Sequence, residues 1–422
     1  MNLYNRLSNA ESIELLEKSG EERLILSFYK YFEIKNLSIF RNYLFSTWSK
    51  IGVLGRIYVA TEGINAQLSL PKKQLSDFVS ELDQIVPLKG IRLNFAIENN
   101  VKSFLKLKIK IRKQIVVDGI QDENFDPTNV GMHLNATEFN KILSEKGTYC
   151  IDMRNHYESE IGHFVGAITP DVDSFKESIN FIDKKLENEK RNKKILLYCT
   201  GGIRCEKASA YLKFKGFKNV FQLDGGIINY ARQVKNDNCK NKFIGKNFVF
   251  DNRLSEKITN DVISSCHQCG SKSDNHVNCS NVACNLLFIQ CESCNDSLSG
   301  CCSIECQKIN NLSLEEQKRL RKGEKKSKRI YKKNLKLLFI LMDTVKCALS
   351  ILIFYLSSSC VDSNAIRIDK EILNGWDLEE SIKFEISDTI DFSSNIFFYL
   401  RNNNDYPFSN IFLIASLKSN QK

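Results

Sequence analysis

One stretch, KILLYCTGGIRCEKASAYL at residues 194–212, constrains this chain more than any other. A short apolar run, Ile195 to Tyr198, ends in Cys199. Two glycines and Arg204 follow, and helix-forming residues start near Cys205. The chain must therefore place a strand, a tight loop and a helix in immediate succession. Such a loop aims backbone N–H groups and the positive end of the helix at the cysteine, which favours thiolate over thiol. Gly201 and Gly202 let the loop curl, and Arg204 brings a fixed positive charge. The plainer reading is a buried, inert cysteine at a strand end, since free cysteines are often buried. The Gly-Gly-x-Arg context favours a reactive one.

The loop, Cys199-Thr200-Gly201-Gly202-Ile203-Arg204, resembles the C-x-x-G-x-R loop of a rhodanese domain, a parallel α/β sheet with a catalytic cysteine. Asp152 to Asn155, Tyr157, Glu158 and Gly162 to Pro170 look like that family's opening strand and following loop. Gly216 to Val220 and Leu223 to Ile227 look like its last strand and turn. Related phosphatases use a loop one residue longer, C-x5-R, that fits a phosphate. The C-x4-R spacing suits a persulfide or another sulfur adduct by family analogy.

From residue 1 to about 310 the chain also resembles the rhodanese-containing tRNA uridine hydroxylases, which place a 5-hydroxyl on the wobble uridine using molecular oxygen. The likeness rests on separate blocks in the same order: Tyr58 to Ala66, Phe104 to Arg112, Phe125 to Gly131, the Cys199 loop, Cys266 to Cys269, and Leu286 to Cys291. It implies an RNA-modifying oxygenase with tRNA as partner, molecular oxygen as co-substrate and Cys199 as a persulfide-type catalytic residue. Arg204 and the loop amides would stabilise negative charge there. The oxygen-activating cofactor is not specified: there is no Rossmann fingerprint, and five histidines offer no clear two-His-one-carboxylate set. Cys205 is either a second thiol or packing beneath the loop. A persulfide-forming sulfurtransferase is the alternative enzyme, and a tRNA or protein adaptor the non-catalytic one.

The 422 residues suggest two to three domains, and a hydrophobic share of 42% supports ordinary cores. The net charge of +10 is compatible with an RNA partner; no DNA is expected. Fifteen cysteines without an apolar leader at the N-terminus point to metal or redox chemistry in a reducing, cytoplasmic setting.

Residues 1–117 read as an α+β domain of ferredoxin- or acylphosphatase-like type. Strand signals fall at Glu22 to Tyr29 and Ile57 to Leu70, and helical ones at Ser38 to Gly52 and Lys73 to Ile85. From Phe104 to Val117, Leu105, Leu107, Ile109 and Ile111 alternate with Lys106, Lys108, Lys110 and Arg112. A strand there puts four cations on one face, either a solvated surface or a phosphate-tracking one. Residues 118–145 read as a connecting segment with a short helix at Ala136 to Ser144, and 146–240 as the rhodanese-like parallel α/β domain.

Residues 241–310 form a Cys-rich module with nine cysteines between Cys266 and Cys306. Cys266-x2-Cys269 and Cys291-x2-Cys294 have the spacing of two zinc knuckles and are the candidate metal ligands. A site using Cys279, Cys284, Cys301 or Cys306, two sites, or an iron–sulfur cluster are alternatives. The expected role is structural, because so short a segment with few large apolar residues lacks a core. A basic run follows at 311–334, either a solvated tail or added phosphate affinity. The tail, 335–422, has no assigned role. Its apolar stretch Leu335 to Leu356 is interrupted by Asp343 and Lys346. Each central charge costs about 2.5–3.5 kcal/mol against a gain of about 0.3–0.6 per Leu, Ile or Phe, so a membrane span is not expected.

Overall fold

The computed structural model describes residues 9–97, 103–122, 124–237 and 239–322. Residues 323–422, with the apolar stretch and Lys325 to Lys333 of the basic run, lie outside the described residues. Among the described residues no helix is long and apolar enough to cross a membrane.

The N-terminal part contains α1 (Asn9–Ser19), β1 (Arg23–Tyr31), α2 (Leu37–Lys50), β2 (Leu54–Ala60), β3 (Gly63–Pro71), α3 (Leu75–Asp83), β4 (Asn94–Phe95) and β5 (Leu107–Ile111). They build a five-stranded sheet in the order β4-β1-β3-β2-β5. Asn36 caps α2 by accepting from the Ile39 N–H, and Leu44 and Trp48, one turn apart, face the core. There the ring of Trp48 stands 5.3 Å from Phe78 and 6.2 Å from Phe28.

The expected strand from Phe104 to Val117 is shorter than its alternation suggests. β5 is an edge strand that pairs with β2 from Gly55↔Leu107 to Val59↔Ile111. Past Arg112 the chain leaves the ladder, because the Ile115 N–H donates to Glu62 at 2.6 Å. Lys108, Lys110 and Arg112 are exposed. Ile111 is exposed too, since an edge strand is covered on one side only.

The central part runs β6 (Met132–Leu134), α4 (Ala136–Leu143), β7 (Tyr149–Asp152), α5 (His156–Ser159), β8 (Gly162–Phe164), α6 (Phe175–Leu186), β9 (Lys194–Tyr198), α7 (Ile203–Phe214), β10 (Asn219–Leu223) and α8 (Gly226–Asn236). β6, β10, β9 and β7 form, in that order, an all-parallel sheet. The segment read as a connection thus supplies β6 and α4 to this layer; three residues are too few for strand periodicity to register.

Side chains of β9 alternate between two cores. Ile195, Leu197 and Cys199 join the residues of α6 and α7, while Leu196 and Tyr198 join those of α4 and α8. Both faces are covered, as a parallel sheet requires. Arg154 and Asp152, both fully buried, pair at 2.6 Å. The Arg154 guanidinium also donates to the Gly162 carbonyl at 2.6 Å, so that motif fastens β7 to β8.

The last part holds β11 (Phe243–Phe248), β12 (Ser255–Lys257), the hairpin β13 (His276–Asn278) and β14 (Leu287–Ile289), then α9 (Glu292–Leu298), α10 (Ile304–Asn310) and α11 (Leu314–Arg321). β11 pairs with both β12 and β8, which ties this part to the central domain.

Candidate active site at the Cys199 loop

β9 delivers Cys199 at its C-terminal end, and α7 starts four residues later. Gly202 caps α7 with φ 101° and donates its N–H to Cys199 Sγ at 3.1 Å. The start of α8 takes up the loop's carbonyls: the Ile227 N–H donates to Cys199 at 3.0 Å and the Ile228 N–H to Thr200 at 3.2 Å. Gly226 makes this approach possible. Its φ is +67°, and a Cβ there would lie 2.6 Å from both of those carbonyl oxygens, so a side chain does not fit.

Burial alone would push the Cys199 thiol up. A hydrogen bond from Cys205, the charge of Arg204 and the backbone N–H groups of Cys205 and Arg204 outweigh it and bring the pKa down to about 6. At neutral pH the thiolate is the main form. Arg204 is itself held by Glu158 through two bonds of 2.6 and 2.8 Å. It acts on the sulfur as a fixed neighbouring charge, not as an unpaired anion receptor. Glu158 is oriented in turn by the Asn155 N–H at 3.0 Å. Cys205 is fully buried in the α6–α7 core, and burial pushes its thiol well above the ordinary range. It therefore packs beneath the loop and also supports the Cys199 sulfur.

Several residues at this site were not legible in the sequence. Tyr29, from β1 of the N-terminal domain, donates to Glu206 at 2.9 Å, and its hydroxyl stands 2.7 Å from where a Cβ on Gly202 would be. Tyr31 donates to the Ile203 carbonyl at 3.4 Å. Burial, aided by Glu206 at Tyr29 and by Glu62 and Glu206 at Tyr31, holds both phenols well above their usual range, so they remain neutral. Lys207 is buried and gripped by Glu62 at 2.8 Å and Asp118 at 2.5 Å. Glu62 sits at the β2–β3 turn, inside the Tyr58 to Ala66 block, so that block docks the N-terminal domain on α7. Cys199 has no exposed surface. A cavity of about 50 Å³ lies beside Thr200, walled partly by Ser27, Asn94 and Phe250.

In the Cys-rich module the structure brings Cys266, Cys269, Cys291 and Cys294 together, with all four Sγ within 4.8 Å of one another. Cys269 and Cys291 are 3.5 Å apart. An all-sulfur set of this size suits a tetrahedral zinc ion. The two nearby histidines stand apart from it. His267 contacts Glu160 at 2.8 Å and accepts from the Ile289 N–H. His276 is buried edge-on to Phe248, and desolvation lowers its pKa to about 3.

A parallel sheet ending in a thiolate-bearing C-x4-R loop defines a rhodanese-like domain, here joined to an α+β domain and a Cys-rich module. Residues 135–233 match the family described as Rhodanese-like domain. Residues 23–115 match the UPF0176 acylphosphatase like domain, 244–307 the Rhodanase C-terminal family and 368–422 GldH lipoprotein. A rhodanese-like domain from Anabaena sp. aligns at 20% identity over 27% of this chain and 78% of its own, with a TM-score of 0.21. A protein from Leptospira interrogans named tRNA uridine(34) hydroxylase is 52% identical over 332 residues, 78% of this chain and 90% of its own length. One of the same name from Yersinia enterocolitica is 49% identical over 337 residues, 80% and 96% of the two chains. The chain belongs to the tRNA uridine(34) hydroxylase family.

Proposed function

We propose that this protein hydroxylates C5 of the wobble uridine of tRNA, one atom of molecular oxygen entering the base and the other leaving as water with two electrons from an external reductant, with Cys199 as the reacting sulfur. The observation that carries the reading is Cys199 at the end of a central parallel strand, its Sγ accepting the Gly202 N–H at 3.1 Å in a C-x4-R loop, in a chain about half identical to named uridine(34) hydroxylases. Arg204 and the loop N–H groups hold negative charge on that sulfur through its reactions. Tyr29 and Tyr31 close the loop from the N-terminal side. The exposed Lys108 and Lys110 lie on β5 and Arg112 just past it, where the chain runs on to Ile115, whose N–H meets Glu62 at the docking point on α7. That supports phosphate contacts which orient the tRNA without reading its sequence. Zinc at Cys266, Cys269, Cys291 and Cys294 would be structural. A tRNA substrate and cysteines that form no disulfide among the described residues suit a reducing, cytoplasmic setting.

The thiolate also favours a second reading, a sulfurtransferase. Its sulfur would attack the outer sulfur of thiosulfate, the S–S bond would break, sulfite would leave and a Cys199 persulfide would remain. One experiment separates the two. tRNA from a host lacking wobble-uridine hydroxylation, expressing this protein or its Cys199→Ser variant, is digested and its nucleosides are weighed by mass spectrometry under ¹⁸O₂. The expected result is labelled 5-hydroxyuridine with the native chain and none with the variant. Soluble, folded native protein that yields no 5-hydroxyuridine, yet turns thiosulfate and cyanide into thiocyanate, would replace the first reading with the second.

A further inference from the structure

Eight of the cysteines between Cys266 and Cys306 fall into two groups of four, and the groups interleave. Cys266 and Cys269 join Cys291 and Cys294; the pairs between and after them, Cys279 with Cys284 and Cys302 with Cys306, form the second group. Here too the four Sγ lie within 4.8 Å of one another. We propose that this second group binds its own structural zinc ion, so that the module is braced by two metals whose ligand pairs alternate along the chain.

The spacing of the sulfurs is that of a single ion. Thiolates about 2.3 Å from zinc sit at the corners of a tetrahedron with edges of about 3.8 Å. Cys284 and Cys302 are 3.7 Å apart, and Cys302 and Cys306 are 3.6 Å apart. A disulfide would need about 2.05 Å. An iron–sulfur cubane would hold its four thiolates farther apart, with the inorganic core between them. The donor set contains only sulfur, which favours zinc over magnesium, calcium or manganese. Two N–H groups already face the sulfurs: the Cys302 backbone donates to Cys279 at 3.4 Å, and the Asn281 amide to Cys306 at 3.5 Å. Donors of this kind support metal-bound thiolates from outside the ligand shell.

The packing requires such a brace. Neither α9 nor α10 has a fully buried residue, so apolar burial contributes little to holding them. Each carries one ligand: Cys294 in α9 and Cys306 in α10. The local core is Cys279, Phe288 and Cys301, ringed by Val277, Leu286 and three more cysteines. Cys302 belongs to this second group; the adjacent Cys301, an alternative ligand in the sequence, is buried against Cys279 and the Ser299 carbonyl and lies outside the group of four.

The test uses the full chain purified without chelators. Elemental mass spectrometry should find two zinc ions per chain, and X-ray absorption should find four sulfurs at about 2.3 Å around the average zinc. Cys279→Ser/Cys306→Ser and Cys266→Ser/Cys291→Ser should each drop the count. Because either variant may unfold the module, the native protein decides. One zinc per chain, with Cys279, Cys284, Cys302 and Cys306 alkylated by N-ethylmaleimide before denaturation, would overturn the proposal. Iron with acid-labile sulfide would overturn it as well.

Discussion

Cys199 and the cysteines of the C-terminal module are the same residue put to opposite uses, and their surroundings explain why. β9 is buried along Ile195, Leu196, Leu197 and Tyr198, between two apolar cores. That layer is stable without sulfur, so Cys199 is spared for chemistry and tuned by a handful of N–H groups and one arginine. In the module the balance reverses. Phe288 has few apolar partners, two helices have no fully buried residue, and sulfur supplies the cohesion. A cysteine is reactive where the fold does not depend on it and structural where the fold has little else.

The contrast breaks most visibly on metal removal. A chelator strong enough to strip zinc should abolish amide-exchange protection across 264–310 while β9 and α7 keep theirs, because site formation in zinc modules is worth about 10–16 kcal/mol. Equal loss in both regions would show that the central sheet depends on the module. Next in size is Lys207→Met. It leaves the buried Asp118 and the part-buried Glu62 without their cation, and should destabilise the docking of the N-terminal domain by about 3–5 kcal/mol. Denaturant unfolding followed by domain-resolved exchange reads this out. An unchanged midpoint would remove the triad from the account. Gly226→Ala forces a side chain onto the Cys199 carbonyl at a positive φ, so a loss of about 1–3 kcal/mol is expected in a thermal melt.

The smallest effect sharpens the electrostatics. The far-ultraviolet thiolate absorbance, taken as the difference between native chain and Cys199→Ser, should rise as pH rises through about 6. Arg204→Gln should move that midpoint upward, because a positive neighbour is lost and Glu158 is left unpaired beside the sulfur. A midpoint that stays in place would assign the lowering to Cys205 and the backbone alone.

Much of this was present in the order of residues. Strand, loop and helix around Cys199 follow from an apolar run, two glycines and a helix-forming tail, all local signals. The pairing of Cys266 and Cys269 with Cys291 and Cys294 follows from knuckle spacing. β6 was hidden, because its partner β10 lies far along the chain and three residues carry no period. The extent of β5 was overstated, because alternation describes a strand without saying how many neighbours it has. The second sulfur group was blurred, because Cys301 and Cys302 are adjacent and backbone direction selects between them.

The sequence by itself determined the local chemistry: which cysteine follows a strand, where glycine permits a turn, and how ligand pairs are spaced. Tertiary structure alone decided the company each group keeps. Arg204 is shared with Glu158, Tyr29 and Tyr31 close the loop from another domain, Glu62 and Asp118 clasp Lys207, and Cys302 joins the second sulfur group while the adjacent Cys301 is buried in the local core. The physical reason is range. Backbone propensity and turn geometry act over a few residues, whereas burial and ion pairing join residues that only the folded chain brings together.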